Sequence, residues 1–445
     1  MVMYQKQHTI TSSSALCALL IGGGSSTIYC SAFAYSSSAT LQRSRILPSH
    51  HPQQLSEHHL YHSSSPSTAP SSIRKFIPCR SLHSTTLNNM SSSSSSSSSS
   101  STNTLVTVQQ AIEAHNENND SSSTKNKKNV FIDGSWHMPV GPTPRNGRSE
   151  YISGPRIPGA HYFDIDDIAP PSNPKNLPHM KPSPKMFAAA MDRMGITPDD
   201  TLYVYGTEGC GFYHRAYWTL SSCGYHIPER VKLVQGSLDE WRECGGTLEY
   251  GDLAGDDDQQ RGNNDRRLFR MCELDWEDAS PKYACWKEDG NDSVVDMEQV
   301  LAVVKETTQG GASSDTIIVD ARSSGRFHGT APEPRPGLRG GHMPGSINLP
   351  FPSLLDSNDP TKFRPMDEVR DIFVKAGIQP LEEGGSKNNA SSRKKVICSC
   401  GSGVTAAALA VGLEECGLRK KEDIYIYDGS WIEWGGDEDT PIVTD

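Results

Sequence analysis

The chain has 445 residues, 35% of them hydrophobic, with a formal net charge of −11; that length suits two or three domains. The modest acidic balance gives no footing for nucleic-acid binding, which needs a basic surface. The apolar run Ala15–Ile21 is too short to span a membrane, and no other stretch is long and apolar enough to do so. Eleven cysteines show no CxxC pair and no regular disulfide spacing, which points to a reducing compartment.

The first 103 residues read as a disordered, low-complexity targeting segment. Residues 1–112 hold one acidic residue, Glu57, against Lys6, Arg43, Arg45, Arg74, Lys75 and Arg80, and residues 91–101 are all serine. Such a composition cannot bury enough apolar surface to fold. Two targeting readings compete. Ser31-Ala32-Phe33-Ala34, after the apolar run, resembles a bipartite plastid signal, whereas Arg74–Ser84 resembles a mitochondrial presequence. The mitochondrial reading is preferred to the plastid one, and Met90 offers an alternative start for a cytosolic form.

From there the chain reads as one unit written twice. A helical segment, Val108–Glu113, precedes a strand ending in aspartate, Val130–Asp133. Ile157-Pro158-Gly159-Ala160 follows, then a helix, a strand Leu202–Gly206, and a strand Val231–Val234 that leads to Trp241. Residues 246–290 read as an exposed linker with a loop insertion. The second copy starts with a helix at Met297–Leu301 and a strand Ile317–Asp320, then Met343-Pro344-Gly345-Ser346. A polar insertion, Glu382–Ser392, precedes the strand Val396–Cys400, and the strand Ile424–Tyr427 leads to Trp431 and Trp434. Alternating strands and helices predict two α/β domains, 104–245 and 291–445, each a mainly parallel sheet flanked by helices.

Cys400 stands between an apolar strand and the Ala/Leu-rich helix that begins near Ala406. A cysteine after a buried strand is by default a small core hydrophobe. Gly401 and Gly403 change that balance, because they clear side chains from the loop and permit unusual backbone angles. The loop then becomes a cradle of N–H groups at the positive end of a helix, a setting that lowers a thiol's pKa and makes a nucleophile. A cysteine phosphatase would need an arginine where Ala406 stands, so the cradle suits a sulfur carried as a persulfide. In the first copy Gly206 or Thr207 stands at the equivalent place, and Cys210 is nearby but out of register, so that loop reads as inert and the first domain as a wall of the cleft. Strand residues alternate between faces, and on that ground Cys398 reads as core rather than as a redox partner of Cys400.

Cys400-Gly401-Ser402-Gly403-Val404-Thr405 resembles the active loop of the 3-mercaptopyruvate sulfurtransferases, the tandem-rhodanese family. Asp428–Trp434 resembles the family's closing motif, Gly325–Thr330 with Glu333-Pro334-Arg335 its substrate-binding stretch, and Gly341–Asn348 its domain-start motif. The resemblance covers roughly residues 104 to 440. It implies that Cys400 is the nucleophile and Ser402 a hydrogen-bond donor or proton relay. It further implies that Arg326 and Arg335 clamp the substrate carboxylate, with Gly401, Gly403, Val404 and Thr405 completing the loop. Thr405 reads equally as a structural hydroxyl at the helix start.

The implied activity moves sulfur from 3-mercaptopyruvate to a thiol such as thioredoxin, a small thiol, or cyanide, releasing pyruvate. Relatives that prefer thiosulfate carry basic residues just after the cysteine, where this chain has Gly401 and Ser402. Thiosulfate transfer is therefore the alternative, and a silent binding module, against which intact Cys400 argues, is a third reading. The family often has histidine before the first Ile-Pro-Gly-Ala, in a relay with serine and aspartate. Here Arg156 stands there and cannot shuttle protons. It is expected to add charge to the cleft instead; His161 and His342 are nearby but read as structural. Asp133 and Asp320 are expected to brace strand ends, and no metal or organic cofactor is implied.

Overall fold

The computed structural model describes residues 104–118, 127–140, 142–171, 173, 175–223, 228–251, 253, 266–277, 293–308, 315–380 and 395–444. The targeting segment, the serine run, Met90, the Glu382–Ser392 insertion and much of 246–290 lie outside these residues. All described residues belong to one compact unit, Ile77–Asp445.

Within it are two lobes. The first carries strands β1 (Leu105–Thr107), β2 (Asn129–Asp133), β3 (His161–Tyr162), β4 (Thr201–Tyr205) and β5 (Val231–Gln235). Its helices are α1 (Val108–Glu117), α2 (Gly147–Ser153), α3 (Pro184–Met194), α4 (His214–Ser222) and α5 (Leu238–Glu243). The second lobe has β6 (Val294–Val295), β7 (Thr316–Asp320), β8 (Ile347–Asn348), β9 (Lys395–Ser399) and β10 (Ile424–Tyr427). Its helices are α6 (Met297–Thr308), α7 (Ser324–Phe327), α8 (Met366–Lys375), α9 (Ala406–Glu415) and α10 (Ser430–Trp434).

The sheets have the orders β1-β5-β4-β2-β3 and β6-β10-β9-β7-β8, the same permutation twice, and every strand pair among the described residues is parallel. Central strands such as β4 and β9 are rich in Val, Ile, Leu and Tyr and are buried along most of their length, as parallel strands covered on both faces must be. The edge strands β1, β3, β6 and β8 span only two or three residues, too few to leave a periodic pattern.

Local signals set the helix ends. Thr107 and Gln110 form a reciprocal capping box at α1, and Ser183 caps α3, with Pro184 opening that helix and Gly195 closing it in the left-handed conformation. In contrast, α9 is apolar all round and buried from Ala406 to Leu413. It packs against α4 of the first lobe, and its alanines allow close approach. One hydrophobic cluster accordingly runs through both lobes, from Phe187 and Trp218 to Leu354, Cys398 and Leu409.

The expected exposed linker is in part packed. Leu253, Leu268, Phe269 and Met271 are buried against the first lobe, and the Tyr162 N–H donates to the Arg267 carbonyl at 2.9 Å. The polar composition of 246–290 hides these few apolar residues, which behave as an extra layer of the first lobe.

Candidate active site

The loop 400–405 is built by register. Asp320 at the end of β7 pairs with Ser399 at the end of β9, so both following loops leave the sheet at its carboxyl edge. The Cys400 N–H donates to Ser430 Oγ at 3.2 Å, and that hydroxyl donates to the Tyr427 carbonyl at 2.7 Å. The Trp431 and Ile432 N–H groups donate to the Cys400 and Gly401 carbonyls at 3.0 and 2.9 Å. The start of the loop is thus tied to α10 through its carbonyls. The N–H groups of Gly401, Ser402, Gly403, Val404 and Thr405, by contrast, find no protein acceptor among the described residues. Five consecutive unpaired donors before a helix form a cradle for a negatively charged group.

The loop opens on a cavity of about 290 Å³. Cys400, Gly401, Ser402, Val404 and Thr405 line it, together with Arg326 and Arg335. Cys400 itself is only 2% exposed. Glu333, whose carboxylate is buried, pairs with Arg326 at 2.6 Å and with Arg322 at 2.9 Å. Arg322 also pairs with Asp320 at 2.7 Å and lies 3.9 Å above the Trp431 ring. Arg335 is half-buried and makes no ion pair or hydrogen bond to protein groups among the described residues. Burial lowers its pKa from the ordinary value; Cys400 acts in the opposite direction and Arg326 adds to the lowering. A partly desolvated guanidinium with no ion pair at contact distance among the described residues is placed to take an anion.

Of the residues expected to form the catalytic and substrate-binding site, Gly403 and Arg156 do not line the cavity. Gly403 lies at the back of the loop with φ +79°, where a Cβ would come within 3.0 Å of the Asp428 carbonyl and carboxylate. Arg156 does not charge the cleft. Its guanidinium is 2% exposed, pairs with Glu249 at 2.9 Å, and donates to the Tyr151, Ile152 and Gly251 carbonyls. The reason is the packed 246–251 stretch, which supplies a carboxylate where none was foreseen.

Thr405 makes no capping bond at α9 and instead lines the cavity. His161 meets the Arg266 carbonyl at 3.0 Å; His342 stacks on Phe327 at 3.9 Å and meets its carbonyl at 3.0 Å, and neither lines the cavity. Cys210 is fully buried against the Trp136 carbonyl, and burial pushes its thiol up to about 11. Cys398 is core, with its pKa also raised by burial, but strand alternation is the wrong reason. Residues two apart share a face, and Cys398 and Cys400 lie in the same apolar cluster.

Asp133 and Asp320 do brace the strand ends. Each accepts the N–H two residues on, from Ser135 and Arg322, at 2.9 Å. Asp320 gains a guanidinium with that bond, whereas Asp133 has only the neutral donors Ser135 and Tyr205, and burial raises it to about 6.

The first lobe does wall the cavity, as the sequence led us to expect, but sequence reasoning named none of the residues that do so. Trp136, Met138, Pro139, Val140 and Phe212 line it, although the first of these follows a strand-end aspartate as Ser323 does in the second copy. That repeat was the available signal. It also missed Arg215, whose buried side chain crosses from α4 to the loop.

Residues 303–437 match the Rhodanese-like domain family. The chain is 30% identical over 321 residues to the probable 3-mercaptopyruvate sulfurtransferase of Schizosaccharomyces pombe, covering 71% of this chain and 90% of that one. It is 32% identical over 317 residues to the mitochondrial thiosulfate/3-mercaptopyruvate sulfurtransferase 1 of Arabidopsis thaliana, covering 70% and 73%. The crystal structure of the Tum1 protein from Saccharomyces cerevisiae superposes with a TM-score of 0.56 at 28% identity, covering 77% of this chain and 99% of that one. With two tandem rhodanese-like lobes and this extent of similarity, the chain belongs to the 3-mercaptopyruvate sulfurtransferase family of sulfur-transferring enzymes.

Proposed function

We propose that the chain takes sulfur from 3-mercaptopyruvate by attack of the Cys400 thiolate on the donor's thiol sulfur. The sulfur–sulfur bond forms as the carbon–sulfur bond breaks, and the electron pair leaves on carbon as the enolate of pyruvate. The donor's thiol proton stays on the new persulfide. The enolate takes a proton from solvent water relayed through the Ser402 hydroxyl, and an acceptor thiolate then attacks the outer sulfur and releases the Cys400 thiolate. The loop N–H groups from Gly401 to Thr405 stabilise the sulfur anion.

The observation that carries this reading is one cavity lined by Cys400, by a loop of unpaired N–H groups and by two arginines. A guanidinium fork matches the carboxylate of the donor. The acceptor is a small thiol or a thioredoxin. Thiosulfate is the second donor reading, favoured by the Arabidopsis relative's name and opposed by the uncharged Gly401 and Ser402. The mitochondrial reading of Arg74–Ser84 draws support from the same relative's name, and cell fractionation tests it.

The deciding experiment compares kcat/KM for the two donors and measures the mass of Cys400 after one turnover, expecting an adduct of about 32 Da. A ratio strongly favouring mercaptopyruvate supports the reading. A ratio favouring thiosulfate overturns the donor assignment, and full turnover by Cys400→Ser overturns the nucleophile.

A further inference from the structure

The first lobe has Gly206 or Thr207 where the second has Cys400, yet one of its side chains reaches the back of the second lobe's loop. Arg215 on α4 is 1% exposed. Its Nη1 donates to the Gly403 carbonyl at 3.1 Å, and its Nη2 donates to the His179 carbonyl at 2.5 Å. The same Nη2 pairs with Asp428 Oδ1 at 2.7 Å, and the other carboxylate oxygen of Asp428 accepts the Lys181 N–H at 2.5 Å. The guanidinium also lies 4.8 Å above the Trp218 ring. Arg215 therefore joins three chain segments, His179–Lys181, Gly403 and Asp428, from both lobes.

Resting on the sulfur-transfer reading above, we propose that Arg215 is a positioning residue that sets the shape of the Cys400 loop from the opposite lobe. The argument is one of peptide geometry. The Gly403 carbonyl and the Val404 N–H belong to one planar unit and point in opposite directions. Holding that carbonyl against Arg215 turns the Val404 N–H away from it. Val404 lines the cavity, and its N–H has no protein acceptor among the described residues. Gly403 is what lets the chain run this close, since a Cβ there would sit 3.1 Å from Arg215 Nη1 and 3.0 Å from Asp428. A buried arginine is strongly attracted to a carboxylate and a carbonyl together, so the loop shape is bound to this three-way contact. The first lobe thus acts as a template for the cradle as well as a wall of the cavity.

The test uses the full chain and three variants. Arg215→Lys keeps the charge but loses the fork. Asp428→Asn removes the carboxylate that holds Arg215. Lys421→Met breaks a different bond between the lobes, from Lys421 Nζ to the Ser221 carbonyl at 3.0 Å. The readouts are kcat, KM and the single-turnover rate of persulfide formation on Cys400.

Arg215→Lys is expected to lower kcat and the persulfide rate by about 100-fold, as a small misplacement of reacting groups does, with KM for the donor nearly unchanged. Asp428→Asn is expected to act in the same direction, and Lys421→Met to keep the wild-type kcat. Wild-type kcat in a folded Arg215→Lys or Asp428→Asn protein overturns the proposal. An equal kcat loss in Lys421→Met overturns it as well, since general docking of the lobes then explains the effect. Should Arg215→Lys fail to fold, Asp428→Asn alone decides. A wild-type protein that forms no persulfide with either donor defeats the functional reading itself, an outcome separate from both.

Discussion

Glu333 holds Arg326 at 2.6 Å while its other oxygen holds Arg322 at 2.9 Å, so one buried carboxylate orients two guanidinium groups at the cavity wall. Arg322 has a second partner in Asp320; Arg326 has no other carboxylate among the described residues. Replacing Glu333 with Gln leaves Arg326 without its charged anchor. The expected result is an increase of about tenfold in KM for a carboxylate donor, with a smaller change in kcat. Steady-state kinetics with 3-mercaptopyruvate check it, and an unchanged KM would remove Arg326 from the clamp.

Arg335 should separate binding from stability. It has no protein ion pair among the described residues, and its burial outweighs the attraction of Cys400, Asp166 and Glu333. Arg335→Met is expected to reduce kcat/KM by about 100-fold while Tm holds or rises, because a large partly buried cation is replaced by an apolar chain of similar length. Arg335→Lys should recover only part of the activity, since an ammonium cannot form the fork. A sharp fall in Tm would show a structural role instead.

Ser402 gives a test that depends on the donor. Sulfur leaving mercaptopyruvate generates a carbanion that needs a proton, whereas sulfur leaving thiosulfate generates sulfite, which does not. Ser402→Ala is expected to slow turnover of mercaptopyruvate by about 10- to 100-fold and to leave thiosulfate turnover unaltered. Equal losses with both donors would assign Ser402 to loop geometry alone.

Asp133 predicts a pH effect on stability. Its pKa rises from 3.8 to about 6, chiefly by burial, with Ser135 opposing. The folded chain therefore keeps a proton that the unfolded chain releases between these values. Stability from this group is greatest below about pH 4 and falls as pH climbs through 6. The loss amounts to about 3 kcal/mol and then levels off. Asp133→Asn has no such proton to lose. Its stability relative to wild type should rise across that window and stay constant above it, as denaturant melts from pH 4 to 8 will show.

Much of this was legible because the repeat is strong. Val130–Asp133 and Ile317–Asp320, each ending in aspartate, are strands, and the loop after the central strand of the second copy lines the cavity. What escaped lay in contacts between residues far apart in the chain. Nothing local marks Arg215, which is 188 residues from the carbonyl it binds. Arg156 was misread because its partner, Glu249, sits in a stretch whose average polarity suggested exposure. Cys398 was assigned to the core rightly but by a faulty use of alternation; β9 is covered on both faces and buries Val396 through Ser399 alike.

Gly401 sets a limit on how donor preference can change. A Cβ at this position would lie 3.0 Å from Arg326 Nη2, so a side chain introduced there makes the guanidinium give way by a few tenths of an ångström. Positions 401 and 326 are therefore coupled, and their substitutions will not be additive. A basic residue at 401 would also set a second positive charge beside the Arg326 guanidinium. It arrives together with a rearranged arginine. The route from one donor class to the other is then a concerted change at two sites, and single mutants along it should be poor with both donors.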